Sequence, residues 1–223
     1  MSEEHIEYVM NSITVDSSEC VSELCLICRN SGTDKTPYVL YEEGHRHPYT
    51  APYSLLFETM RHKPIKFLEI GVYKGASLYA WRSYFEKARL YGFDVDKESM
   101  AEIMTMPDVT LDVVDASIES ELEAGLTKHT ADGELFDVIL DDASHSPDHH
   151  KLLIPIALKY LKQGGILIIE DIYRDPDQNT YLDVIKSMIK QNLISFYSFI
   201  ICDHEKRYSG HLNNDKLLVM VRR

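Results

Sequence analysis

The stretch VILDDASHSPDHH, Val138–His150, carries the Asp141-Asp142 pair and three histidines, His145, His149 and His150, directly behind a short apolar run. Residues of these types serve as metal ligands, as a general acid–base pair, or as the polar loop that opens a helix. A second carboxylate pair, Glu170-Asp171, closes another apolar run, GILIIED at 165–171. If the two runs are neighbouring strands, roughly 5 Å apart, up to four carboxylates gather at one edge. Such a cluster raises its own pKa values by like-charge repulsion, and a divalent cation would neutralise it. Oxygen donors favour a hard ion, Mg2+ first, with Mn2+ or Ca2+ as alternatives. Side chains alternate along a strand, so not all four can face one site. The competing helix-start reading places Ser144 or Ser146 as a cap before Pro147 and Asp148, with His149 and His150 as surface or packing residues inside the helix.

The elements that must position these groups follow from the alternation of short apolar runs with amphipathic segments beyond residue 65. IKFLEI (65–70), RLYGFD (89–94), VTLDVV (109–114), LFDVILD (135–141) and GILIIED (165–171) read as strands, separated by helical stretches at about 76–87, near 97–104 and after Pro147. That rhythm implies a doubly wound, mostly parallel α/β sheet with helices on both faces. SFYSFIICD (195–203) and KLLVMVRR (216–223) are joined by a loop too short for a crossover helix, so the final strand runs antiparallel. Residues 1–64 lack this rhythm and read as an N-terminal helical extension, with a helix near 53–62 following a loop rich in Gly, Pro and His.

In FLEIGVYKGAS, Gly71 and Gly75 sit in the turn between the first of these strands and its helix, where ligands bind in open α/β sheets. Tyr73 occupies the middle position of what would otherwise be a dinucleotide fingerprint, so the close approach that a pyrophosphate demands is not provided. The pattern suits a nucleoside without phosphates. Asp94, at the end of the second strand, can accept hydrogen bonds from two ribose hydroxyls, and Asp115, just past the third, can approach an adenine amino group.

The totals narrow the classes. The 223 residues suffice for one domain with an extension, and 23 basic against 36 acidic residues give a formal charge of −13, which disfavours nucleic acid as a partner. No apolar run approaches the roughly 20 residues of a membrane span, and the acidic start MSEEHIEYVM lacks the features of a secretion signal, so a cytoplasmic chain without a membrane partner is expected. Cys25 and Cys28 form a C-x-x-C, but with Val21 and Leu24 they follow the spacing of a buried helical stripe, and no second ligand pair stands at zinc spacing. The extension and the apolar end strands suit a symmetric homo-oligomer.

The succession of Glu69-x-Gly71-x-x-x-Gly75, an acid after the second strand, Asp115-Ala-Ser after the third and a closing antiparallel pair resembles the class I S-adenosylmethionine-dependent methyltransferases over about residues 65–223. The resemblance implies a Rossmann-like seven-stranded sheet in which Glu69, Gly71 and Ser77 surround the methionine part of the cofactor, Asp94 holds the ribose and Asp115 lies near the adenine. Gly32-Thr33-Asp34-Lys35 with His47-x-Tyr49, then Asp-Asp-Ala-Ser-His at 141–145 and Glu170-Asp171, are similar to the metal-dependent sugar O-methyltransferases that act on macrolide antibiotics and related glycans, although that subgroup usually has Gly where Ala143 stands. This closer resemblance implies Asp142, Glu170 and Asp171 as ligands of Mg2+ or Mn2+, leaving Asp141 for support or a cofactor contact. His45 and His47 could bind a metal but, with no carboxylate partners nearby in sequence, read instead as a lid over the cofactor, and the resemblance adds Thr33, Asp34, Lys35 and Tyr49 to that lid.

His145, three residues beyond Asp142, is placed to take the proton of an acceptor hydroxyl as that oxygen attacks the sulfonium methyl. The expected acceptor is a sugar hydroxyl of a glycan, nucleotide-sugar or glycosylated small molecule. A catechol-like acceptor is the alternative enzyme reading, and a non-catalytic nucleoside- or metal-binding module the alternative outside enzymes. Tyr173, Arg174, Tyr208 and His211 are the candidates for the acceptor pocket.

Overall fold

The computed structural model describes residues 11–40, 44–174, 178–210 and 213–223. Eight strands form one sheet: β1 Ser12–Asp16, β2 Lys66–Ile70, β3 Arg89–Asp94, β4 Val109–Val113, β5 Phe136–Asp141, β6 Leu161–Ile169, β7 Ile194–Asp203 and β8 Lys216–Arg222. Their order is β1-β7-β8-β6-β5-β2-β3-β4, and every neighbouring pair is parallel except those of β8, which is antiparallel to β6 and β7. The seven strands expected from the sequence are therefore joined by an eighth. It lies in the N-terminal extension, which is not wholly helical: SITVD alternates too weakly against water to announce itself, and it is fixed by pairing Ser12–Asp16 with Phe199–Asp203 of β7.

The seven α-helices among the described residues are α1 Glu23–Ser31, α2 Thr50–Phe57, α3 Ala76–Tyr84, α4 Lys97–Met100, α5 Glu119–Thr130, α6 Pro147–Ala157 and α7 Leu182–Lys190. Helix α1 starts at Ser22, whose hydroxyl accepts from the Cys25 N–H, and ends at Gly32 in the left-handed region, φ 79°. Leu24, Cys25 and Cys28 form its buried stripe as the spacing requires, Val21 lies outside the helix and exposed, and all four cysteines are free thiols.

The period-2 alternation of the central strands divides the interior into two layers. Phe67 of β2, Val138 and Leu140 of β5, and Ile166 and Ile168 of β6 face α1, α2 and α3, where Tyr53, Phe57, Trp81 and Phe85 pack edge to face and stacked at ring separations of 5.2–6.2 Å. Leu68, Ile70, Ile139, Leu167 and Ile169 face the other way, against Leu122, Leu126, Leu153, Ile154, Ile185 and Met188 of α5, α6 and α7. The same alternation, carried one residue past each strand, decides which face each acidic residue meets.

The aromatic layer makes α2 the element that docks the extension. Phe57 is fully buried there, whereas Leu55 on the same helix is 77% exposed. Phe57→Ala should therefore lower the unfolding free energy by about 3–5 kcal/mol, and Leu55→Ala by no more than about 0.5 kcal/mol, measured by denaturant titration; equal losses would contradict the packing described.

Candidate active site

The chain leaves β2 for β3 and β4 on one side and returns to β5 on the other, so a crevice opens at the C-terminal ends of β2 and β5. Gly71 sits at its floor with φ 88°. A Cβ there would lie 2.2 Å from the Asp142 carbonyl oxygen, so only glycine lets the two loops meet, and the Asp142 N–H donates to the Ile70 carbonyl at 2.8 Å. One arm of the crevice, about 330 Å3, is lined by Gly71, Tyr73, Asp94, Asp115, Ser117 and His149 among others. Asp94 is fixed by the N–H groups of Tyr73 at 2.7 Å and Asp96 at 2.8 Å, and Asp115 by Ser117, so both carboxylates are oriented before any ligand arrives. Asp94 and Asp115 thus share one cavity. The nucleoside-sized arm contains none of the residues expected to form a lid.

All of those except the buried Tyr49 line a second arm of about 590 Å3 that continues from the first through Gly71, Tyr73, Asp142 and Ala143. Here Thr33, Asp34, Lys35, His45 and His47 surround the carboxylates rather than the nucleoside end. Glu69, on the aromatic face of β2 and fully buried, accepts from the Ser77 hydroxyl at 2.8 Å and the Trp81 indole at 3.1 Å with one oxygen. Glu170, one residue past β6, points to the same face: one oxygen accepts from Lys35 Nζ at 2.6 Å and the other from the Tyr53 hydroxyl. By alternation Asp171 should face the opposite layer. It does not, because its φ of 55° turns the chain, and its Oδ1 accepts from the Tyr49 hydroxyl at 2.6 Å.

His145, also left-handed at φ 54°, lies between two acids. Its Nε2 is 3.1 Å from Asp142 Oδ1 and its Nδ1 3.5 Å from Asp171 Oδ2. Asp142, His145 and Asp171 each present one donor atom, all within 4.8 Å of one another, the arrangement a cation would need. Glu170 is turned instead to Lys35 and Tyr53.

Burial, Lys35 and the histidines set the charge of this cluster. Burial disfavours ionisation of Asp142, but Lys35 and His145 outweigh it and hold the carboxyl well below its usual range. Burial pushes Glu170 well up and Asp171 up, against Lys35 in the first case and His47 in the second, and it takes Glu69 to about 7. For Lys35, burial works against the ammonium, yet Asp142, Glu170 and Glu69 raise its pKa well above the ordinary lysine value. Burial would depress His145 too, but the hydrogen bond to Asp142 and the nearby Asp171 bring it to about 9. His47, stacked on Tyr49 at 5.0 Å, shares its Nδ1 with Asp215 at 2.9 Å and is likewise raised against its burial.

Several expected residues stand elsewhere. Asp141 is the last residue of β5 and faces α6, where its Oδ1 lies 3.1 Å from His149 Nε2 and its Oδ2 3.7 Å from His150 Nε2; it lines neither arm. Of the two readings given to His149 and His150, surface or packing, the structure shows packing: both are buried, and His150 Nδ1 meets the Tyr181 hydroxyl at 2.8 Å. Ser146 occupies the N-cap of α6 and Pro147 its first turn, but the Ser146 side chain accepts no capping bond. Neither Tyr173, Arg174 nor Tyr208 lines the crevice: Arg174 donates to the Cys202 carbonyl, and Tyr208 borders a separate polar depression with Asp203 and His204. His211 lies outside the described residues. Tyr53 and Trp81, which hold Glu170 and Glu69, were not singled out from the sequence; the i, i+4 spacing of Tyr53 from Tyr49 is the signal that places both phenols on one helical face.

Gly71→Ala should weaken calorimetric binding of S-adenosylhomocysteine about tenfold or more, since the left-handed backbone alone costs an L-residue about 1–2 kcal/mol before the clash is counted; undiminished affinity would contradict the role given to this turn. His150, which burial holds down at about 4, stays neutral in the fold at pH values where the unfolded chain takes up a proton. Its stabilising contribution is present above the ordinary histidine value and is lost as pH falls toward 4. His150→Gln should therefore flatten the acid limb of the stability profile between those limits, followed by denaturant titration at each pH.

Comparison with known proteins points to the same fold. Residues 68–172 match the family model described as a methyltransferase domain. Demethylmacrocin O-methyltransferase of Streptomyces fradiae is 27% identical over 171 residues, covering 68% of this chain and 42% of that protein. Mycinamicin VI 2''-O-methyltransferase of Micromonospora griseorubida is 27% identical over 165 residues, 66% of this chain and 40% of that protein. The chain therefore spans well under two thirds of the length of these curated relatives. Among solved structures, the MycE methyltransferase of the mycinamycin pathway in complex with Mg and S-adenosylhomocysteine superposes with a TM-score of 0.65 at 22% identity, covering 91% of this chain and 55% of that one. Residues 68–172 thus match a methyltransferase domain, the fold of the chain is that of the solved MycE methyltransferase, and the sequence is similar to that of macrolide sugar O-methyltransferases over about two fifths of their length.

Proposed function

We propose that the protein transfers the methyl group of S-adenosylmethionine to a hydroxyl of a sugar, on a glycan, nucleotide-sugar or glycosylated small molecule, with the aid of Mg2+ or Mn2+. The observation that carries this reading is the convergence of Asp142, His145 and Asp171 on one point of the arm that joins the nucleoside crevice. The donor set fits a hard divalent cation: Asp142 and Asp171 would hold it, with Glu170 as a third carboxylate beside them. When bound, the cation supplies Lewis acidity that makes an acceptor hydroxyl more acidic and fixes its direction.

The remaining steps belong to the chain itself. Asp94 accepts the ribose hydroxyls, Asp115 meets the adenine, and Glu69, Gly71, Gly75 and Ser77 surround the methionine end. Thr33, Lys35 and Tyr49 close the carboxylate side of the crevice around the reacting groups. His145 takes the hydroxyl proton while the new oxygen–carbon bond forms and the sulfur–carbon bond breaks, leaving S-adenosylhomocysteine. The polar side chains of this arm, Asp34, His45, His47 and Lys74 among them, support a hydroxylated acceptor over a flat phenol.

The test is methyl transfer from labelled S-adenosylmethionine to a panel of free sugars, nucleotide-sugars, glycosylated macrolides and catechols. Turnover on a sugar hydroxyl that stops with EDTA and returns with Mg2+ is expected; turnover indifferent to chelation would remove the metal role of Asp142, Glu170 and Asp171. His145→Ala should lose about 100-fold in kcat or more with its affinity for S-adenosylhomocysteine unchanged, and near wild-type turnover would make His145 a structural residue.

A further inference from the structure

Lys35 is fully buried, and its ammonium is bound by Asp142 Oδ2 and, at 2.6 Å, by Glu170 Oε2. Those are two of the three carboxylates assigned above to a divalent ion. A cation and an ammonium drawn to the same oxygens repel one another across a few ångströms of poorly solvated protein, where charges are weakly screened. Lys35 has no water into which to withdraw, but it has one further acceptor within reach. Glu69 Oε1, 3.5 Å from Nζ, is buried and has no hydrogen-bond donor, whereas Oε2 of the same carboxylate is already taken by Ser77 and Trp81. A compact ammonium on a flexible four-carbon stem can shift between such acceptors, which the rigid fork of an arginine could not.

We propose that Lys35 is a positioning residue that competes with the divalent cation for Asp142 and Glu170 and passes to the open oxygen of Glu69 when the cation takes them. Lys35 thereby sets how tightly the cation is held and couples its binding to the carboxylate at the methionine end of the crevice. The inference rests on the metal-dependent reading above.

Cation binding, without methyl donor or acceptor, tests it. Lys35→Met should bind Mn2+ about tenfold or more tightly than the wild type by calorimetry, because a like charge has left the site. Glu69→Gln should weaken Mn2+ binding more in the wild-type background than in Lys35→Met, the difference being the coupling between the two residues. Unchanged or weaker binding by Lys35→Met, or an identical effect of Glu69→Gln in both backgrounds, overturns the proposal. Independently of any variant, the 15Nζ resonance of Lys35 in the wild-type protein should move on titration with Mg2+, and a fixed resonance at saturation also overturns it. Should the wild-type protein bind neither ion, the metal-dependent reading falls together with this one; binding without the Lys35 effects removes this one alone.

Discussion

Negative charge held out of water is the constraint on which this structure turns. Glu69, Asp142, Glu170 and Asp171 come to one sheet edge because three neighbouring parallel strands end there, and three of the four are almost fully buried. An unpaired buried carboxylate is costly enough that the chain must supply partners or give up ionisation. Four of the partners come from the extension, Lys35 for Asp142 and Glu170, His47 and Tyr49 beside Asp171, and Tyr53 for Glu170, while Ser77 and Trp81 serve Glu69 and His145 serves Asp142 and Asp171. The extension is thus part of the site's electrostatics, and the aromatic packing of α2 fixes the angle at which its two phenols arrive.

Backbone conformation does the complementary work. Left to the alternation of an extended chain, Glu170 and Asp171 would face opposite layers, and His145, three residues on, would face away from the side that Asp142 presents to the crevice. Left-handed conformations at Asp171, His145 and Tyr73, uncommon for residues with a side chain, turn all three toward the crevice. Gly71 has the same handedness for a different reason, the near contact of two loops. Asp108, Asn192 and Asn213 share this conformation at turns away from the crevice, so half of the left-handed non-glycine residues among those described face the ligand-sized space.

Much of this was legible in the sequence, and the limits of legibility are physical. The central parallel strands β2, β5 and β6 stand out because buried parallel strands are continuous apolar runs, and the acids follow from their place at or just past the ends of those runs. β1 is short and exposed at an edge, so neither hydrophobicity nor periodicity marks it, and only pairing with β7 defines it. The direction of Asp141 needs the exact end of β5: one residue decides whether a carboxylate meets the crevice or the His149–His150 pair. The two histidines look like surface residues because they sit in the polar first turn of α6, yet that turn packs beneath β5 around Asp141. Tyr53 carries no polar neighbours in sequence to distinguish it from any core aromatic. Its role appears only with the 117-residue span that brings it to Glu170.

That separation in sequence has a kinetic side. The segment carrying Lys35, His47 and Tyr49 is tethered upstream by β1, which pairs with a strand more than 180 residues later, and its own partners lie over 100 residues away. Contacts of such long range close late and slowly. During folding the acids at the ends of β5 and β6 must therefore wait, hydrated or protonated, until the first part of the chain has docked. The order of assembly then runs opposite to the order of synthesis: a segment made before the sheet completes the centre after it.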